Sequence, residues 1–331
     1  MSTIGGDTYL TLTDHARLMD PDGKVAKIVD TLSVSNEIVD AMLWKEGNLP
    51  TGEQTTIVTG YPSTAWRHLN YGYQPSKMTT KQITDTCGML GTFGEVDKKV
   101  AGLNGNTMDF RMKQDQYKLK ALSKDFATAL IYGNIDTDPE QIMGLAPRYA
   151  LSTATNGTNI LKGGGSGSAN TSIWLVNWGD EGAFGVFPKG SKAGIESTDL
   201  GQQVLEDAAG GKYIGYQNHY EWDCGLTVKD WRNIVRICNV DVSALTADAA
   251  TGADVIELMI KATHKQETGI TGKTEFYCNR TVFTYLDLQT YNSSNMNVSY
   301  EKDPHGRRVM MFRGFPVKRV DAILDTEATV A

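Results

Sequence analysis

Apolar positions along the chain switch repeatedly between helical and alternating spacing. From Asp22 to Trp44, Val25, Ile28, Val29 and Leu32 share one stripe, and Ile38, Val39, Met42 and Leu43 share the next. Both read as short amphipathic helices, with Asp20-Pro21-Asp22 as a start signal. The clearest period runs over residues 107–132, where Met112, Leu119, Leu122, Phe126 and Leu130 form a stripe. Lys113, Gln116, Lys120, Ser123 and Lys124 lie largely off it. Asn106 or Thr107 suits the start and Gly133-Asn134 the end. Twenty-six residues make about 39 Å of helix, long enough for a strut. Residues 253–266 and 280–292 predict two further helices.

Strand patterns fill the intervals. GNLPTGE, residues 47–53, is turn chemistry, and QTTIVTG after it reads as a strand. A hairpin is expected, with its tip at Tyr61-Pro62-Ser63 and its return through AWRHLN, residues 65–70. From Lys81, Ile83, Cys87, Met89 and Phe93 alternate as one face of a long strand. Residues 173–179, FGVFPKGS, GLTVKDWRNIVRICNVD and TEFYCN add strands, with GGGSGSANTS (163–172) as a loop. HGRRVMMFRGFPVKRVDAIL predicts two strands around Gly314-Phe315-Pro316. Residues 1–20 are polar and read as an arm. There is no internal repeat, and the pattern as a whole is α+β.

One stretch resists a core assignment. YPSTAWRHLNYGYQPSK, residues 61–77, places Tyr61, Trp66, Tyr71 and Tyr73 beside Arg67 and His68, in a segment broken by Pro62, Gly72 and Pro75. Proline and glycine at these spacings argue against a core helix, yet the aromatic load is costly to leave in water. A lone hairpin is marginal by itself and gains if its aromatic face lies on something else.

Composition narrows the function. The 331 residues are 40% hydrophobic and 21% charged, which indicates a globular chain with a sizeable core. Lys plus Arg total 32 against 39 Asp plus Glu, a net charge of −7, opposite to what tight phosphate neutralisation requires. Cys87, Cys224, Cys238 and Cys278 lack C-x-x-C spacing and read as free thiols in a reducing compartment. No apolar run approaches the roughly 20 residues of a membrane span, and the N-terminus lacks signal-peptide character.

Catalytic signals are weak. GITGKT (269–274) ends like a phosphate loop, but Glu267 stands where its first glycine belongs. GVFPKGSK places Ser191 where the lysine belongs. His15, His68, His219, His264 and His305 show no paired metal spacing, and His219 near Cys224 and Cys238 is a weak zinc pattern. Asp180-Glu181 reads as a solvated turn. Arg307, Arg308, Arg313, Lys318 and Arg319 are equally compatible with intersubunit salt bridges, a phosphate-facing patch or a solvated strand face. No catalytic residue, cofactor or metal ligand is expected. The alternative is a nucleotide-binding enzyme using the Gly272-Lys273-Thr274 turn.

Three stretches carry a family resemblance. SNEIVDAMLWKEGNLPTGEQTTIVTGYPSTAWRHLNYGYQPSK resembles the N-terminal arm and extended loop of short-tailed-phage major capsid proteins with the Hong Kong ninety-seven capsid fold. The helix to ALIYGN, followed by DPEQIMGLAPRY, is similar to their spine helix and its exit, and GFPVKRVDAI to their closing strand. The resemblance covers nearly the whole chain. It implies an arm with short helices (1–52), an extended loop (53–83), a peripheral domain (84–150 and 293–331) with spine helix 107–132, and an axial domain (151–292). It further implies pentamers and hexamers closing into an icosahedral shell around double-stranded DNA, held without sequence-specific binding. A separate scaffolding protein is expected, because the short arm leaves no room for a built-in one. A portal and a cement or decoration protein are further partners, with no membrane involved. Assembly would take place in the bacterial host cytoplasm and the product would be the virion. Tyr61, Trp66, Arg67, Tyr71 and Tyr73 would then lie against a neighbouring subunit, since Trp, Tyr and Arg dominate interface energies.

Overall fold

In a computed structural model, the structure describes residues 37–102, 107–207, 209–245, 252–266, 272–292, 298–302 and 308–330. The expected arm, the Val25–Leu32 stripe, the Asn106 cap, Gly269, Arg307 and His305 lie outside them. After a short helical turn at Ile38–Ala41 come β1 (Trp44–Glu46), β2 (Gly52–Gly60), β3 (Thr79–Thr86), β4 (Gly88–Asp97) and the long helix α1 (Thr107–Tyr132). There follow β5 (Ile160–Lys162), β6 (Asn170–Trp178), β7 (Ala183–Phe187), β8 (Glu196–Glu206), β9 (Lys212–Val228) and β10 (Ile234–Asp241). Helix α2 (Val255–Lys265), β11 (Lys273–Cys278), helix α3 (Arg280–Asn292), β12 (Val298–Lys302), β13 (Arg308–Phe312) and β14 (Phe315–Arg319) complete it. The described residues form two compact units, with residues 89–126 and 194–223 in the smaller and the rest in the larger. Residues 151–292, expected as the axial domain, include the 194–223 portion of the smaller unit.

The larger unit is organised by β6, all nine of whose residues are buried. It pairs antiparallel with β10 and β11, and β11 runs parallel to β14. Ile173, Leu175, Val235, Ile237 and Phe276 pack with Val255, Met259 and Ala262 of α2 and with Val282 and Leu286 of α3. Burial of both faces explains why β6 from Ile173 and β10 read as mostly apolar runs rather than strict alternations. Asp254 starts α2 by accepting from the Glu257 N–H at 2.9 Å, and Asn279 starts α3 by accepting from the Val282 N–H at 2.8 Å.

At the centre of this unit lies a buried ion pair. Arg236 donates to Glu327 at 2.9 Å, to the Ser172 hydroxyl at 3.1 Å and to the Tyr149 carbonyl at 2.9 Å, with its guanidinium 5.0 Å from the Trp174 ring centre. The Tyr132 hydroxyl donates to Glu327 at 2.5 Å and accepts from the Leu324 N–H at 2.9 Å. Burial first, and the Glu327 charge second, push the Tyr132 hydroxyl well above its ordinary pKa. The C-terminal segment is held here further by mutual bonds of 2.9 Å between Asn239 and Val330.

The smaller unit pairs β8 antiparallel with the first part of β9, with β4 on the other side of β9. A register shift between Asp199 and Gly201 is accommodated by Gly201 at φ 70°. Val96, Val100, Ala101 and Phe110 form its core, and Phe126 meets Trp222 at 4.5 Å. Arg111 ties helix to sheet: it donates to Asp199 at 3.0 Å and Asn218 at 2.9 Å, 4.6 Å from the Tyr216 ring centre.

Several expectations change. The strand expected from Lys81 is two strands broken at Cys87, whose N–H donates to the Thr51 carbonyl at 2.9 Å. On it Met89 and Phe93 are exposed. The second short helix shrinks to Ile38–Ala41, with Ile38 and Met42 buried and Leu43 exposed. The helix at 107–132 has the expected span, but Phe110 is buried and Met112 exposed, because two residues turn a helix by about 200°. Asn170, Thr171 and Ser172, read as loop, are the buried start of β6. Strands β8 and β9 up to residue 223 were not anticipated, since Glu196–Glu206 is polar on both faces.

Candidate functional site

The hairpin of β2 and β3 is rooted by a buried pair. Arg148 donates to Asp85 at 2.7 Å and to the Leu226 carbonyl at 3.2 Å, and the Val228 N–H donates to Asp85 at 3.4 Å. Gly52, at φ 149°, passes so close to the Asp85 carbonyl that a Cβ would sit 2.1 Å from it. The Asn48 side chain closes the preceding turn, accepting from the Gln54 N–H at 2.8 Å and donating to its carbonyl at 2.7 Å. The strands then pair from Gly52↔Thr86 to Gly60↔Thr79. The return strand is therefore Thr79–Thr86 and not AWRHLN: residues 61–78 carry no strand. Pro62, Gly72 and Pro75 remove the ladder donors and side chains that a longer hairpin needs.

Every residue from 61 to 80 is exposed. Trp66 is 103% exposed, Leu69 87%, Tyr61 86% and Tyr71 73%, with Tyr73 and Met78 also largely exposed. The segment has some order of its own. Arg67 lies 5.6 Å from the Tyr73 ring centre, His68 meets Tyr71 edge-on at 6.4 Å, and the Ser76 hydroxyl donates to the Ser63 carbonyl at 2.9 Å. Asn70 takes a left-handed conformation at φ 69° within this turn. Of the five expected residues, the fold thus brings Arg67 onto Tyr73 and turns Tyr61, Trp66 and Tyr71 outward. Leu69 and Met78 join them. Leu69 was hidden in sequence by the strand assigned to AWRHLN. An exposed set of large side chains on a projecting hairpin can bury area only against another surface.

The rival chemistry does not assemble. Lys273 and Thr274 lie in β11, where Lys273 sits 2.7 Å from buried Glu275 and the Thr274 hydroxyl accepts from Asn177 at 2.9 Å. A phosphate cradle requires these residues at a helix N-terminus with free backbone N–H groups. Gly272 is there because a Cβ would meet Asn177 and the Trp178 carbonyl. His219 stacks on Phe93 at 4.5 Å, and no three potential metal ligands cluster among the described residues. Asp180 faces Lys45 and Lys229 in an exposed turn; the hydrogen bond from Lys45 leads the causes that lower its pKa. Burial pushes the Cys278 thiol up to about 12. No described helix is long and apolar enough to cross a membrane.

The arrangement is that of a shell-forming structural protein with the α+β Hong Kong ninety-seven-like fold. The model of the family described as Major capsid protein GP7 matches residues 20–331, and the chain belongs to that family. A structure of bacteriophage Epsilon15 contains a similar chain: TM-score 0.79 and 35% identity, over 100% of this chain and 99% of that one. An encapsulin complex (SrpI) of Synechococcus elongatus PCC 7942 aligns at TM-score 0.44 and 10% identity, over 70% of this chain and 96% of that one. The bacteriophage JBD30 capsid aligns at TM-score 0.44 and 7% identity, over 88% and 91%. No curated protein matches the chain. The family is a structural one, not an enzyme family. Copies of this protein self-assemble into the icosahedral capsid of a phage virion, which encloses the DNA.

Proposed function

We propose that the β2–β3 hairpin is the extended loop of this capsid protein and that its tip binds a neighbouring copy in the shell. The observation that carries this reading is the outward display of Tyr61, Trp66, Leu69, Tyr71 and Tyr73 on a hairpin fixed at its root by Asp85 and Arg148. Residues 1–52 act as the arm, α1 as the spine helix of a peripheral domain (84–150 and 293–331), and residues 151–292 as the axial domain, its 194–223 portion lying in the smaller compact unit. Pentamers and hexamers are the building units. A separate scaffolding protein guides them in the host cytoplasm, a portal admits the genome, and a cement protein can bind the finished shell. The net charge of −7 suits a container that holds double-stranded DNA without gripping its sequence.

Each subunit meets several neighbours, so modest contacts multiply over a closed shell and mispaired subunits can still dissociate. Deletion of residues 61–73 tests the reading. The variant should fold, with far-ultraviolet circular dichroism unchanged, and should form no shells by negative-stain electron microscopy. Normal shells from that deletion would overturn it.

A further inference from the structure

We propose that one face of α1, carrying Lys113, Tyr117, Lys120 and Lys124, meets the phosphate backbone of the packaged DNA. The inference is independent of the hairpin reading and assigns this helix face to the genome side of the shell.

Spacing puts these four residues together. They stand at i, i+4, i+7 and i+11, which is one stripe about 16 Å long on a helix. The stripe is turned away from the sheet. Arg111 and Asp115 hold the opposite side of the helix to β8 and β9 through Asp199 and Asn218, and Leu122 and Phe126 are buried on that same side. Lys120 and Lys124 are exposed, while Lys113 and Tyr117 are half-buried. The Lys120 ammonium lies 5.7 Å from the Tyr117 ring centre.

The charge of this face departs from that of the chain. Acidic residues outnumber basic ones overall, 39 to 32. From Phe110 to Lys124, by contrast, the sequence holds Arg111 and four lysines, with Asp115 as the one acid. Asp115 is turned to the sheet, where it accepts from the Asn218 amide at 2.6 Å. The sheet of the same unit is the reverse. No Lys or Arg occurs in β4, in β8 or between Tyr213 and Asp223 of β9, where Glu95, Glu196 and Glu221 stand. The smaller unit is thus polarised, cationic on its helix side and anionic on its sheet.

The helix side is the one that suits a polyanion. Double-stranded DNA carries one negative charge per roughly 1.7 Å of its axis, and lysines that reach its phosphates release condensed counterions. Lys120 and Lys124 are like charges one helical turn apart, and a phosphate laid between them relieves their repulsion. An ammonium is a point charge without the fixed fork of a guanidinium, so contact with phosphate is indifferent to base sequence. Three lysines hold DNA weakly at each copy. The shell repeats them many times, so the genome is contacted everywhere and can still slide.

Acetylation of lysines in intact particles tests the contact. Filled virions, shells emptied of DNA and precursor shells made before DNA entry are treated with N-hydroxysuccinimide acetate, and the rate at each lysine is read by peptide mass spectrometry. Lys189 and Lys192, exposed in the loop after β7, serve as references. Lys120 and Lys124 should react about fivefold more slowly in filled than in emptied particles, because a phosphate favours the unreactive charged amine and covers it. The reference lysines should show no such difference. A variant with Lys113→Gln, Lys120→Gln and Lys124→Gln should build shells like wild type and release its genome at a lower temperature on heating.

Equal rates in filled and emptied wild-type particles would overturn the proposal. Slow reaction in both assigns the stripe to a contact between copies, and slow reaction in precursor shells alone assigns it to the scaffolding protein. Slowing shared equally by every exposed lysine reflects exclusion of the reagent from filled particles. Each of these three results overturns the assignment as well.

Discussion

The hairpin tip and the surroundings of Arg236 are inverses of each other. At residues 61–78 large aromatic groups stand in water and no Asp or Glu is present. At Arg236 and Glu327 a charge pair sits inside the apolar core, the two side chains 5% and 4% exposed. Each arrangement is unfavourable alone, and each indicates what compensates it. The buried charges are compensated within the chain, by Ser172, Tyr132, the Tyr149 carbonyl and the Trp174 ring. Among the described residues, Tyr61, Trp66 and Leu69 at the tip remain largely exposed. On the proposed reading the core pair serves folding and the tip serves assembly, so the two regions should fail in different assays.

Substitutions can break or sharpen that contrast. The largest effect is expected from Glu327→Ala, which leaves the Arg236 charge buried without its partner. Loss of about 3–5 kcal/mol of folding stability should follow, read by chemical denaturation. Asp85→Asn comes next. It weakens charge-assisted bonds from Arg148 at the hairpin root and should cost roughly 2 kcal/mol. Hydrogen exchange should rise first in β2 and β3, since their anchor is what is lost.

Trp66→Ala should do the opposite of Glu327→Ala. Folding stability should change by less than about 0.5 kcal/mol, as for an exposed site. The concentration needed for assembly should rise about 30-fold, the equivalent of a 2 kcal/mol hot spot. Equal losses of stability and assembly in this variant would erase the distinction between the two regions.

The smallest effect concerns pH. The Gly201 N–H, followed by Arg111, holds the Asp199 carboxylate below its ordinary pKa. A lowered folded-state pKa adds stability above the unfolded value near 4, and that contribution disappears as the pH falls through the folded value. Asp199 is largely exposed, so the change is small. The melting-temperature gap between wild type and Asp199→Asn should close as the pH is lowered from 7 to 3.

How far the sequence could be read varied with the element. Runs buried on both faces, such as residues 173–178 and 234–240, announce themselves because apolar residues crowd them, with only Asn177 in the first and Arg236 and Asn239 in the second breaking the segment. Helix α1 was visible in its period and its Gly-Asn exit, though Phe110 rather than Met112 reached the core. Strands β8 and β9 left a weaker trace, because β8 is exposed at nearly every position and the residues of β9 before 224 alternate little. The composition of residues 61–77 was enough to mark them as unfit for a core element, and the structure leaves them exposed.

What the sequence determined by itself was chemistry with a local origin: helical periods, buried runs, turn residues and the aromatic load of a segment unable to form a core helix. Tertiary structure decided which distant residues meet. The hairpin register joins Gly52 to Thr86, and the central ion pair joins residues 91 apart. Neither follows from neighbouring residues, because such pairs are selected by packing of the whole unit and by the desolvation cost of leaving any of these groups unpaired.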